Sequence, residues 1–209
     1  MGALPEIAPF TISSPIVTER LVLRPFSMED LDDLHAIQSR PDVAQYLYWE
    51  PRSREEVREV LERKAEQRVL AVEGDALVLA VTIPGVAGTT AGVIGEVVLW
   101  WRSAEHCQGE IGFVVHPSHG GRGFATEAAT AMLDLAFREL GLHRVYGRAD
   151  GRNTASVGLM RRLGMRQEAH FRENEMFKGS WGDELVFAIL ENEWRASSRH
   201  GPEDMPAEQ

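Results

Sequence analysis

His116-Pro117-Ser118-His119-Gly120-Gly121-Arg122-Gly123-Phe124-Ala125-Thr126-Glu127 joins a run of strand character to one of helical spacing. Backbone amides at such a junction are not yet committed to helix hydrogen bonds, and the helix dipole adds positive potential, so the place suits an anion. Glycines without a Cβ let the chain approach a pyrophosphate closely and turn through positive φ, while Arg122 adds a cation. A tight surface turn would use the same glycines only for shape, and that reading stays open here. Two phosphate loops are excluded by spacing. Gly121-Arg122-Gly123 offers neither the lysine nor the following hydroxyl of a P-loop. Gly121-x-Gly123-x-x-Thr126 lacks the third glycine of a dinucleotide fingerprint and follows a run of strands instead of opening a βαβ unit.

Other side chains suited to chemistry follow. Asn153 and Ser156, three apart at the start of a predicted helix, can share one face, with helix capping as the alternative role. Glu175, ahead of the Gly179 turn, and Glu110, at the start of a strand, are acids that can take a proton in a partly dry cleft or sit as solvated charges. Cys107 is the only cysteine, which rules out an intramolecular disulfide, and no matched histidine and acid point to a thiol nucleophile. His116 and His119 have the spacing of a metal pair without a second pair to complete it, so no metal is expected. Tyr46, Tyr48, Trp49, Trp100, Trp101 and Trp181 can wall a pocket or fill a core.

The elements that must position these groups can be read from periodicity. Leu21–Leu23 reads as a strand. Ser27-x-x-Asp30 and Ser53-x-x-Glu56 then open two helices, with Leu31, Leu34 and Ile37 on one face of the first and Val57, Val60, Leu61 and Ala65 on one face of the second. Strand runs follow at Val69–Glu73 with Ala76–Ile83, at Val93–Trp101 and at Glu110–His116. A helix over Thr126–Leu140, a strand at Val145–Ala149, a helix over Ala155–Leu163 and two strands flanking Lys178–Gly182 complete the order β αα βββ α β α ββ. That order is a mixed α/β (α+β) arrangement with a mostly antiparallel central sheet flanked by helices. Residues 17–195 form the expected domain, between a loosely held arm at 1–16 and a polar tail at 196–209.

Of 209 residues, 22 are basic and 32 acidic, a net charge of −10 that argues against nucleic acid as a partner. Arg138–Arg172 holds eight arginines against Glu139, Asp150 and Glu168, a local +5 that leaves −15 elsewhere and would steer a cationic substrate inward. The first residues lack a basic and then apolar leader, and no apolar run is long enough to span a bilayer, so a cytoplasmic protein without membrane attachment is expected.

Taken together, these residues resemble the GNAT superfamily of N-acetyltransferases. The loop Gly120–Thr126 is similar to its acyl-CoA loop. Thr18-Glu19-Arg20-Leu21-Val22-Leu23-Arg24-Pro25 with Asp30-Leu31, Asn153-Thr154-Ala155-Ser156 with Arg162-Leu163-Gly164-Met165, and Gly179-x-Trp181-x-Asp183 resemble segments of the RimJ/RimL-like branch. The resemblance implies acetyl-CoA as co-substrate, bound by backbone groups of Phe113, Val114 and Val115, by the loop residues Gly120, Gly121, Arg122, Gly123, Phe124, Ala125 and Thr126, and by Asn153, Ser156 and Arg162. It implies transfer to a primary amine, of a small molecule or a peptide N-terminus, by direct attack in a ternary complex. Ser156 would protonate the leaving thiolate, Glu175 would be the base with Glu110 competing for that role, and a homodimer is common in the branch. Two departures stand out: Gly120 replaces a larger residue, and Met160 stands where many members carry a tyrosine acid. A CoA-binding or ligand-sensing protein on the same fold is the alternative.

Overall fold

The computed structural model describes residues 8–85 and 90–197. In chain order these form β1 (Phe10–Thr11), β2 (Ile16–Val17), β3 (Val22–Pro25), α1 (Leu31–Gln38), α2 (Pro41–Ala44), α3 (Arg54–Glu66), β4 (Val69–Leu70), β5 (Ala76–Pro84) and β6 (Thr90–Ser103). There follow β7 (Gln108–Val115), α4 (Phe124–Asp134), β8 (Arg144–Asp150), α5 (Thr154–Arg162), β9 (Arg166–Phe177), β10 (Ser180–Leu190) and α6 (Glu191–Ser197). The expected order persists in β3, α1, α3, β5, β6, β7, α4, β8, α5, β9 and β10.

Eight strands make one sheet in the order β2-β3-β5-β6-β7-β8-β10-β9, antiparallel at every step except β7 beside β8. The central strands are buried on both sides because apolar side chains occupy successive positions, as in Ala76–Val81 of β5, whereas the edge strand β9 is largely exposed. On β5, Leu77, Leu79 and Val81 face α4 and α5, while Ala76, Val78 and Ala80 face α1 and α3. Val57 and Leu61 of α3, one turn apart, are fully buried in the second cluster with Val98 of β6. Each such side chain is worth roughly 1.5–3 kcal/mol, and together they fix which face of α3 turns to the sheet.

The structure corrects several boundaries. Residues 1–16 were expected to be loosely held, yet Phe10 and Thr11 pair with Leu70 and Val69, and Ile12 is buried in the main core. Two-residue strands are too short to show an alternation in sequence. Val69–Glu73 was expected as a strand run with Ala76–Ile83, but β4 covers only Val69–Leu70 and pairs with β1 outside the large sheet, and a turn follows where Asp75 Oδ2 accepts the amides of Ala71 and Val72. α4 starts at Phe124 and passes into a π-helical turn at Leu135–Glu139, with the Leu140 amide donating to the Leu135 carbonyl. α6 runs through Ser197, into the stretch expected as tail, because Trp194 is buried and its indole N–H donates to Asp134 at 3.0 Å.

Candidate active site

The site opens where the one parallel pairing fails. β7 and β8 are paired only from Gln108 to Glu110 against Arg144 to Tyr146, although both strands run on. Beyond Glu110, β7 keeps β6 on one edge, with Val115 opposite Gly95, and the other edge is left without its β8 partner. Ile111, Gly112, Phe113 and Val114 on one side of this gap, and Ala149, Asp150, Asn153, Ser156 and Met160 on the other, line a cavity of about 490 Å³. Val115 is not part of the lining.

The period of two in a strand supplies the next wall. Glu96, Val98, Trp100 and Arg102 of β6 alternate toward the cavity, while Val97, Leu99 and Trp101 turn to the α4 side. Trp100 is thus a pocket wall and Trp101 core. Trp181 is neither, lying 57% exposed on β10. The run Tyr46–Trp49 closes over the cavity and is fastened from β9–β10. Lys178 and Gly179, both at positive φ, make the two-residue turn between Phe177 and Ser180. The Lys178 ammonium donates to the carbonyls of Ala44 and Trp49, each at 2.8 Å.

The glycine loop lies at the start of α4, on the opposite face of the sheet from α1 and α3. Gly121 (φ +72°) and Gly123 (φ +80°) take the left-handed conformation, and a Cβ at Gly121 would meet nothing within 4 Å. Gly123 is the N-cap residue and has no side chain to satisfy the first-turn amides of Phe124, Ala125 and Thr126, so these amides have no side-chain cap. The Phe124 ring itself is buried under the Arg20 guanidinium, 5.0 Å from its centroid. Arg162 Nε approaches Thr126 Oγ1 at 3.4 Å, which brings a cation from α5 to the same turn. The motif Thr18-Glu19-Arg20 holds this helix. Glu127 accepts from Thr18 Oγ1 at 2.6 Å, from the Arg20 amide at 2.8 Å and from Arg20 Nε at 2.7 Å. Ser118 bridges His116 and His119 at 2.8 and 3.0 Å, and among the described residues no cluster of three metal-binding side chains forms.

The two candidate acids differ in their surroundings. Glu110 is 6% exposed, and its oxygens accept from Arg102 Nε at 2.8 Å and Arg148 Nε at 3.1 Å. Glu175 lines the cavity, accepts the Tyr48 hydroxyl at 2.7 Å, and has no cation in ion-pair contact among the described residues. Desolvation of its hydroxyl end and then the neighbouring Glu175 carboxylate push the Tyr48 phenol up to about 12, even though 70% of the residue faces solvent. Asn153 caps α5, its Oδ1 accepting the Ser156 amide at 3.1 Å, while Ser156 Oγ has no protein partner among the described residues. Met160 is buried with its sulfur over Gly147, where a Cβ would come within 2.9 Å.

A family model described as an acetyltransferase (GNAT) domain matches residues 20–166. The chain belongs to the GNAT family. It is 32% identical over 179 residues to the uncharacterized N-acetyltransferase YnaD of Bacillus subtilis, covering 86% of this chain and 98% of that one. A GNAT-family acetyltransferase structure from Bacillus anthracis superposes with a TM-score of 0.75 at 30% identity, over 86% of this chain and 100% of the other. The spermidine N-acetyltransferase of Vibrio cholerae, solved with CoA and spermine, shares the fold at a TM-score of 0.70 and 24% identity, over 85% and 99% of the two chains.

This GNAT chain is accordingly an acetyl-CoA-dependent N-acyltransferase, and the open β7 edge with the uncapped first turn of α4 fits that co-substrate. Sequence reasoning missed the cationic residues of the cavity. Arg52 and Arg63 enter it from the α3 side, and Arg102 and Arg148 from β6 and β8. Arg102 could have been found from its strand alternation with Trp100 on β6, and Arg148 from its alternation with Asp150 on β8. Arg52 and Arg63 come from a loop and a helix that no local pattern ties to the sheet.

Proposed function

We propose that the protein transfers an acetyl group to a primary amine by direct attack within a ternary complex, as a member of the RimJ/RimL-like branch. Acetyl-CoA supplies the acyl group, activated as a thioester. The amides of Gly121, Gly123, Ala125 and Thr126, with Arg122 and Arg162 nearby, hold the pyrophosphate by hydrogen bonds and charge. The backbone of Phe113, on the β7 edge that β8 leaves unpaired, lies along the gap and orients the arm and the acetyl carbonyl, while Val114 turns its carbonyl toward Gly95 of β6. Glu175 takes the proton from the ammonium so that the neutral amine attacks, and the Tyr48 hydroxyl holds the carboxylate in place. Glu110, with both oxygens on arginines, is a structural anion. Ser156, with a free Oγ on the α5 wall, delivers a proton toward the leaving sulfur, the role for which Met160 has no hydroxyl.

The observation that carries this reading is that one cavity joins the open β7 edge to a carboxylate that has no cationic partner among the described residues. Glu175→Gln should lower kcat/KM by about 10²–10³ and Ser156→Ala by about 10² in a thiol-release assay, in line with the usual worth of a positioned acid or base. Both variants should retain acetyl-CoA binding by calorimetry. Unchanged rates would remove the assigned roles. The single cysteine supports a reducing, cytoplasmic setting. Phe171, Met176 and Trp181, exposed together on the β9–β10 hairpin, support a homodimer, which light scattering would detect.

A further inference from the structure

We infer that the acceptor amine carries an oxyanion, a carboxylate or a phosphate, at its other end, and that Arg52 and Arg63 bind it. The inference rests on the transferase reading above and on a charge account of the cavity. Lys64 is paired with Glu96 at 2.8 Å, with both side chains 14% exposed. Arg102 and Arg148 share Glu110, and Arg148 also bonds Glu184 at 3.1 Å. Asp150 is held by Arg152 at 2.6 Å, and Asp183 by His170 at 2.6 Å. Three charges remain without an opposite partner among the described residues: Glu175 from the β9 side, and Arg52 and Arg63 from the α3 side.

Arg52 is set in position as a binding residue would be. Its backbone amide donates to the Gln38 carbonyl at 3.0 Å, Nη1 donates to Gln38 Oε1 at 2.7 Å, and the guanidinium lies 4.6 Å from the centroid of the Trp49 ring. Gln38 is itself buried, so the fork is held from behind while its remaining N–H groups are unspent. The carboxylates that act on Arg52 are already engaged, Glu96 by Lys64 and Glu56 by the Ser53 amide at 2.7 Å. Burial lowers the Arg52 guanidinium from its ordinary value, and the like charge of Arg63 adds to this against the pull of Glu96. A half-buried guanidinium beside another cation is a costly arrangement that an incoming anion relieves. The net charge of −10 draws cations toward the molecule as a whole, but a polyamine in this cavity would place positive charge against Arg52 and Arg63.

The test compares ω-aminocarboxylates of graded length with their methyl esters, ω-aminophosphonates and spermidine. Both turnover by thiol release and binding to the protein–CoA complex by calorimetry are measured. The free acids or phosphonates should exceed the esters and spermidine by at least about tenfold in kcat/KM, with Kd lower by at least about tenfold, at the length that spans the cavity, the better series naming the oxyanion. That preference should collapse toward unity in Arg63→Met, an exposed position on α3, and in Arg52→Met, with Arg52→Lys retaining part of it. Binding of acids over esters without turnover would sustain the anion site and overturn the transferase reading. Equal treatment of acids, esters and spermidine, no binding of any of them, or a preference untouched by both variants, would overturn the inference.

Discussion

Tyr48 and Glu175 lie 127 residues apart and meet at 2.7 Å, so the base of the proposed reaction depends on a hydroxyl from a loop. Because the phenol is pushed up to about 12, it stays protonated through any useful assay range and acts as a hydrogen-bond donor to the carboxylate. Tyr48→Phe keeps the ring on Phe177, which it meets edge-on at 5.4 Å, and removes only the hydroxyl. A hydrogen bond to a charged group is worth roughly 1.5–3 kcal/mol. The expected outcome is therefore a loss of about tenfold or more in kcat/KM, with acetyl-CoA affinity unaltered. The wild-type rate should show no limb near pH 10 that disappears in the variant; such a limb would mean that the phenol ionises and acts as an acid. The aromatic run Tyr46–Trp49 was visible in the sequence as a candidate pocket wall. Its partner was not, because nothing in either segment records that a β9 carboxylate and an interhelical loop converge.

At the scale of elements, the legible parts were those that carry their own period or cap. The helix starts at Ser27 and Ser53 were readable because serine and an acid three residues on bond each other's backbone, and Ser53 and Glu56 do so at 2.7 and 3.3 Å. The glycine loop was readable because positive φ at Gly121 and Gly123 restricts the residue type. The splay of β7 from β8 was not, since it depends on where a pairing ends and not on the strand sequences. The motif Leu23-Arg24-Pro25 with Asp30 is explained by a junction: Arg24 of β3 grips Asp30, the residue before α1, through two bonds of 2.7 and 2.8 Å, and Asp30 also accepts the Ser27 amide at 2.8 Å. Burial raises the Asp30 carboxyl, but the Arg24 guanidinium and the Ser27 amide outweigh it and hold the group below its usual value. A depressed folded value means that the pair stabilises the protein above the unfolded carboxylate pKa of about 4 and that this is lost as pH falls through the folded value. Asp30→Asn should cost roughly 2–4 kcal/mol at pH 7, less than a fully buried pair because the Arg24 side chain keeps 21% exposure. The gap in Tm between the two proteins should narrow below about pH 4, and a gap independent of pH would assign the loss to packing instead.

For the whole molecule, the decisive property is that the sheet has two working faces joined at one opening. The α4 face carries the glycine loop above a core of Leu77, Leu79 and Val81. The α1–α3 face carries the cavity proposed for the acceptor above Val78 and Val98, and both reach the gap beyond Glu110. The overall charge divides along related lines, with a local +5 in Arg138–Arg172, which supplies β8 and α5, inside a chain of −10. An anionic co-substrate is thus steered to one side without closing the other, and its affinity should weaken as salt screens that field. Two ligands that arrive from opposite faces need not take turns in one space, and a covalent relay would require a nucleophile at the gap. Cys107, the only thiol, is 1% exposed in the β6–β7 turn and is not among the residues lining the cavity. Initial rates measured over a grid of acetyl-CoA and amine concentrations should therefore give intersecting double-reciprocal lines, and mixing enzyme with acetyl-CoA alone should release no burst of thiol. Parallel lines with a stoichiometric burst would instead identify an acetylated protein side chain and end the ternary-complex mechanism, whichever residue carried it.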